Sequence, residues 1–312
     1  MNKRYILKCI CLATAVVALD YAAGQALRHF YFTQSQGRLY NITTAIETQT
    51  AQILIIGSSR AMHHYDPGVI SHRLGLSCFN AGNDAQGMPY YAALLEAIAT
   101  RHSPQVVVLD VNIYALSRDD SSYDMLYQLN PYAARHPEIW SILSLRSHER
   151  IKHLSQIYPF NSMAARIIMG NLSIRTRDAS NNGFTVMDGE WDEPLRDTFF
   201  PSDEALDPIK SEMFTRLISI CKAKGILLIA SVSPTFRNIR NEPASIICIR
   251  RICERENIPM ISYLNDPAFA VGHLYHDPSH LNGVGAREFS DVFSQWLIRE
   301  LQIGNRRQKN GD

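Results

Sequence analysis

The sequence predicts an α/β fold, an open parallel sheet covered by helices on both faces. Three observations carry this. From residue 51 onward short apolar runs alternate with helical stretches. The runs are largely apolar along their whole length, as in strands buried on both faces. Most end at Gly, Asn, Ser or Pro, where a strand turns toward a helix.

The elements follow in order. Ala51–Gly57 (AQILIIG) reads as the first strand and Leu76–Ala81 (LSCFNA) as the second, stopped by Gly82 and Asn83. Gly87–His102 has Tyr91, Leu94, Leu95 and Ile98 at helical spacing, and Gln105–Val111 (QVVVLDV) is the third strand. A helix over Ser211–Lys224 leads into the fourth strand, Ile226–Val232, which Ser233 and Pro234 stop. Pro243–Glu256 is helical, Ile258–Tyr263 is a short fifth strand, and Val284–Leu301 is a closing amphipathic helix. Between the third and fourth strands lies an insertion of about residues 113–208 without a parallel strand of its own. It has helical segments near His136–Gln156 and Ser162–Met169, then a polar loop over Asp178–Pro194. It leaves the sheet at the carboxyl end of a strand, where ligands bind in open α/β folds, and so reads as a lid or subdomain. Its aromatic residues mostly read as a local core, with Trp191, in a polar stretch, as the candidate substrate contact.

Composition narrows the function. The 312 residues are 46% hydrophobic and 20% charged, which is globular. Lys plus Arg number 31 against 30 for Asp plus Glu, a net charge of +1, so no global field draws the protein to nucleic acid. The 6 cysteines contain no CxxC pair and do not amount to a disulfide framework. The N-terminus departs from this pattern. Lys3, Arg4 and Lys8 precede an uncharged run from Cys9 to Leu19 that ends at Asp20. Tyr5–Leu27 is long enough to cross a bilayer, for which about 20 residues suffice. The basic flank then places the bulk of the chain outside the cytoplasm. The expected organisation is a membrane anchor or signal segment over 1–32 and one domain over 33–312. An uncleaved anchor is preferred, since no clean A-x-A cleavage site follows the run.

Two distant segments carry candidate chemistry. In Gly57-Ser58-Ser59-Arg60 a small-residue turn after the first strand exposes a hydroxyl at the sheet edge, beside the start of a helix. A nucleophile needs that placement, because backbone N–H groups must meet its oxyanion. The plain alternative is a helix N-cap. In Asp277-Pro278-Ser279-His280 an Asp three residues before a His can accept the imidazole Nδ1–H and leave Nε2 to take a proton from a hydroxyl. Here the plain alternative is that Asp277 or Asn282 caps a turn or the last helix. A metal site on His273, His276 and His280 is not expected, since the chain there reads as loop and the spacing defines no common face. Arg60 is a candidate contact for an anionic substrate group, and His63 a candidate site-lining residue.

Together these segments resemble the SGNH/GDSL-type hydrolase superfamily over roughly residues 51–112 and 209–302. The resemblance implies a flavodoxin-like three-layer α/β/α sandwich with a five-stranded parallel sheet. It implies Ser59 as nucleophile with His280 and Asp277, and an oxyanion hole including Gly82 (in Phe79-Asn80-Ala81-Gly82) and Asn112 (in Leu109-Asp110-Val111-Asn112). Ser58 stands where the family has Asp and competes with Ser59. The third block lacks the usual Gly-x-Asn-Asp form. No cofactor is implied. The expected activity is ester hydrolysis on O-acyl groups of a cell-envelope or extracellular glycan. An O-acyltransferase and a catalytically silent glycan- or partner-binding module are the alternatives. The GSSR form looks most like membrane-anchored bacterial relatives that act on envelope polymers.

Overall fold

The computed structural model describes residues 3–172, 181–201 and 203–310. The opening of the polar loop, 178–180, therefore lies outside the described residues. The strands of the main sheet are β1 (Ile53–Ile56), β2 (Cys78–Asn80), β3 (Val106–Asp110), β4 (Leu227–Val232) and β5 (Met260–Ser262). They are all parallel and ordered β2-β1-β3-β4-β5, the flavodoxin-like order, with its topological switch between β1 and β3. Within the sheet, alternate residues serve opposite faces. Leu54, Ile56, Val107, Leu109 and Leu228 pack into one core cluster, and Ile53, Ile55, Val106, Val108 and Ile229 into the other.

The helices include α1 (Lys3–Phe32), α2 (Ser59–His64), α3 (Pro67–Leu74), α4 (Met88–Arg101), α5 (Pro208–Lys224), α6 (Ala244–Glu256) and α7 (Gly283–Asn310). The first core holds Leu94, Leu95 and Ile98 of α4, Phe214 and Leu217 of α5, and Ile246 and Ile249 of α6. The second holds Ile70 of α3 and Phe289, Phe293 and Leu297 of α7. The chain thus has the three-layer α/β/α architecture expected. Element ends differ from the sequence reading by a few residues where a cap decides them. α5 begins at Pro208, because Asp207 caps it from outside, accepting from the Ile209 N–H at 2.9 Å, while proline at the first position gives up no bond.

The insertion differs more. Instead of two sustained helices it is a series of short α and 3₁₀ turns, and left-handed His148 (φ 61°) breaks the first predicted segment. It also contributes a two-residue strand, Asp197–Thr198, parallel to Asn238–Ile239 and apart from the main sheet. Two residues are too short to leave a periodic signal. Nor is the insertion chiefly a lid. Leu126, Leu129, Tyr132, Ile139, Leu143, Phe160 and Ile167 all enter the first core, and the stretch from Asn181 onward reaches Asn80 and His63.

Helix α1 has two parts. Tyr5, Leu7, Ile10, Leu12, Val16, Val17 and Leu19 are exposed, and this is the one helix among the described residues long and apolar enough to cross a membrane, with mean hydropathy 1.9 over its best window. From Asp20 on, the helix packs against the rest of the chain. Gly24 is buried where a Cβ would come within 2.3 Å of Gln156 Cβ. Tyr31 is fully buried against Tyr132 and Phe160, and its hydroxyl lies 3.0 Å from that of Tyr132. Replacing Tyr31 by Ala should therefore cost about 3–5 kcal/mol, as for other large buried rings. The urea midpoint of the detergent-solubilised full chain should fall accordingly, whereas a loosely tethered helix would leave it unchanged.

Candidate active site

Ser59 is the first residue of α2, directly after β1. Its helix begins with Met62 N–H bonding to the Ser58 carbonyl at 3.1 Å, so the Ser59 amide precedes the first helical bond. Ser59 is partly exposed and Ser58 is only 4% exposed. The Ser58 hydroxyl is enclosed, which does not suit the part of substrate contact that the sequence also left open to it.

The partner segment is a tight antiparallel hairpin, Tyr275–Asp277 with His280–Leu281, rather than the loop expected. Asp277 Oδ1 accepts the N–H groups of Ser279 (2.7 Å) and His280 (3.0 Å), folding the chain back on itself. The same carboxylate then receives His280 Nδ1–H, with Oδ2 at 2.8 Å. That fixes the tautomer in which Nε2 is an acceptor, and the Ser59 hydroxyl donates to it over 2.8 Å. Three residues separated by up to 221 positions in sequence thus form one continuous relay. Partial burial alone would raise the Asp277 pKa. The hydrogen bonds from the His280 side chain and from the Ser279 and His280 backbone outweigh it and hold the carboxyl at about 2.

A buried polar layer beneath the relay holds its halves together. His64, fully buried at the end of α2, accepts the Leu281 N–H on Nε2 at 3.0 Å and faces Ser233 Oγ through Nδ1 at 3.0 Å. Burial first, then the nearby Arg60, His280 and His63, push its pKa well below the ordinary histidine value, so it stays neutral. Arg60 is also buried, contrary to its expected role toward substrate. Its guanidinium donates to the Ser233 carbonyl and to Ser233 Oγ, and Nε lies 3.9 Å from the fully buried Asp110. Asp110 accepts in turn from Tyr65 Oη (2.9 Å) and the Ser233 N–H (3.2 Å). The hairpin is fastened from its other side as well, where Thr235 Oγ1 and the Phe236 N–H both donate to the Pro278 carbonyl. Asn282 caps α7, accepting from Val284 and Gly285 N–H at 3.0 Å each.

The remaining predicted residues fall as follows. Asn112 stands two residues past the end of β3, and its Oδ1 accepts the Tyr114 N–H at 2.9 Å. This orients the amide and leaves Nδ2 without a partner among the described residues. The Gly82 N–H donates to Asn80 Oδ1 at 2.9 Å, so this expected oxyanion donor is already bonded. The glycine is needed for close approach as well, since a Cβ there would lie 2.4 Å from Met62 N. His63 is buried, its Nδ1 2.7 Å from the Thr185 carbonyl and its Nε2 3.4 Å from Asp84, whose other oxygen pairs with Arg38 at 3.0 Å. It therefore flanks His280, ring centroids 5.8 Å apart, with both nitrogens already facing protein acceptors. Trp191 is half-buried and lines a cleft with Phe236, Arg237, Arg196 and Pro278, on the flank of the hairpin that carries Asp277 and His280.

Sequence reasoning missed the parts played by Asn80, Asp84, Ser233 and the buried His64. Asn80 donates to the carbonyls of Ala61 (2.7 Å) and Tyr65 (2.8 Å), stapling α2 to the end of β2. None of these four stands in a local pattern that marks it, because each acts through partners remote in sequence.

The fold and the relay define a class: a three-layer α/β/α protein with a Ser–His–Asp triad at the carboxyl edge of its parallel sheet. No family model matches the chain. No curated protein matches it either. Among solved structures it is similar to a protein from Desulfitobacterium hafniense DCB-2 described as lipolytic and of the G-D-S-L family, at 10% identity over 78% of this chain and 97% of that one, with a TM-score of 0.39. It is also similar to the acetyl xylan esterase AlAXEase, at 12% identity over 79% and 98% of the two chains, with a TM-score of 0.39.

Two outcomes follow from the buried layer and the depressed carboxyl. Arg60→Met leaves Asp110 buried without its cation and should lower stability by about 3–5 kcal/mol, measured by urea unfolding. Asp277 has a lower pKa folded than unfolded, so its stabilising contribution is complete above the ordinary value of 3.8 and is lost as the pH falls toward about 2. The gap in urea midpoint between the wild type and Asp277→Asn should accordingly be full at neutral pH and shrink across that window.

Proposed function

We infer that the protein is a serine esterase, held at a membrane by α1 with its α/β domain on the extracytoplasmic side, and that it removes or transfers O-acyl groups on an envelope or extracellular glycan. The single observation that carries the catalytic part is the unbroken line from Ser59 Oγ through His280 to Asp277. In this reading Ser59 Oγ attacks the ester carbonyl while His280 Nε2 takes its proton, and Asp277 stabilises the imidazolium. The Ser59 N–H and Asn112 Nδ2 receive the tetrahedral oxyanion. The Gly82 N–H joins them only by sharing its proton with Asn80 Oδ1. Collapse expels the alcohol, protonated by His280, and leaves an acyl-enzyme. Water, activated by the same imidazole, releases the acid, and a sugar hydroxyl in its place makes the protein an acyltransferase.

The glycan assignment is supported by Trp191, whose ring borders a cleft beside the triad hairpin together with polar Arg196 and Glu193. An aromatic plane with polar neighbours suits a sugar ring. The membrane part is supported by the exposed apolar half of α1, and its orientation by Lys3, Arg4 and Lys8 ahead of the apolar run.

The test is labelling with a fluorophosphonate, alongside acetate release from a panel of acetylated glycans and a chromogenic short-chain ester. The wild type should form a covalent adduct that Ser59→Ala lacks and Ser58→Ala retains. Asn112→Ala should lower kcat about 10²- to 10³-fold, as loss of one oxyanion donor does elsewhere. A wild-type chain that neither labels nor cleaves any ester would instead be a binding module using the same cleft.

A further inference from the structure

The place where α1 meets the domain is built with unusual specificity for a tether. At Asp20, where the uncharged run ends, the carboxylate accepts from Ser155 Oγ (2.6 Å), the Gln156 N–H (2.7 Å) and the Ile157 N–H (3.4 Å). One turn further, the backbone of α1 touches Gln156 at Gly24. These contacts fix the segment Glu149–Ile157 at the level of the last uncharged residues of the helix. This segment carries Ile151 and Leu154 at helical spacing, 64% and 79% exposed. Two large aliphatic side chains so open to solvent on one short turn stabilise nothing within the protein. The segment is otherwise well anchored: Glu149 is buried and accepts from Lys152 Nζ and Tyr158 Oη, and Arg150 lies over the Trp140 ring. Aliphatic residues flanked by basic and aromatic ones are the composition of a segment that lies in a bilayer interface.

We propose that Glu149–Ile157 is a second membrane contact, a shallow wedge in which Ile151 and Leu154 enter the lipid surface beside the exit of α1. Its occupant is the lipid bilayer. The argument is continuity: the Asp20 bonds make the wedge and the helix one rigid surface, so if the apolar half of α1 lies in lipid, the wedge is carried to the interface. The α/β domain is then fixed in orientation over the membrane and does not swing from a single point. The proposal rests on reading α1 as a membrane helix.

The two readings are separated by a photocrosslinker. A benzophenone side chain is placed singly at Leu12, Leu154 or Phe199 of the full chain in phospholipid nanodiscs, and lipid adducts are read by mass spectrometry. Phe199 is a fitting control, being exposed and distant in sequence from both α1 and the wedge. Adducts at positions 12 and 154 but not at 199 are expected. Adducts at 12 alone would overturn the wedge and leave the anchor standing, and equal adducts at 154 and 199 would overturn it too. Adducts at none of the three would overturn anchor and wedge together. The variant Asp20→Asn, which keeps an acceptor, should retain the adduct at 154, and Asp20→Leu should lose most of it while keeping that at 12.

Discussion

The bond from the Leu281 N–H to His64 Nε2 is where two halves of the molecule are made to agree. Ser59 rides on α2 at the end of β1, and His280 rides on a hairpin just ahead of the last helix. Nothing local brings them within reach. His64 closes α2 and Leu281 follows His280, so one 3.0 Å contact sets the spacing of the two elements beside Ser59 and His280. The contact requires a neutral imidazole as acceptor. Burial, together with the positive charge of Arg60, keeps it neutral. A charged His64 would have no lone pair on Nε2 to offer and would lie unpaired in a closed interior.

Beneath this contact the polar residues form a layer, not a set of isolated pairs. Arg60, Ser233, Asp110, Tyr65 and His64 share donors and acceptors at the carboxyl ends of β1, β3 and β4, the same sheet edge as Ser59. A layer of this kind is stabilising only when its members are satisfied. It explains why Arg60, adjacent to Ser59 in sequence, is turned into the interior. Its guanidinium is committed to the floor of the site, and the orientation of Ser59 depends on that floor.

Much of this was legible from the residues alone, for identifiable reasons. The sheet was readable because its strands are covered on both faces, which makes their apolar residues contiguous. The convergence of Ser59, His280 and Asp277 was readable because a serine turn at a strand end and an Asp-x-x-His segment have local signatures. Burial of a charged side chain has none. Arg60 next to the serine looks the same in sequence whether it faces solvent or Asp110, and its partner Ser233 lies 173 residues away. The same limit applies to Gly82, whose N–H is taken by Asn80 only once the turn has closed. In the insertion the alternation of α and 3₁₀ turns around His148 blurs the helical period, so its contribution to the main core was invisible, and with it the fact that it is more buttress than lid.

Tyr31 closes the aromatic cluster that also contains Tyr132 and Phe160, yet it sits on the same helix as the exposed aliphatic residues before Asp20. The last piece of the interior is therefore delivered by the same helix that carries the exposed apolar run. The α/β domain is thus not closed by its own residues alone, and a fragment lacking the first thirty-two residues would be left with an open seam where the tyrosine belongs.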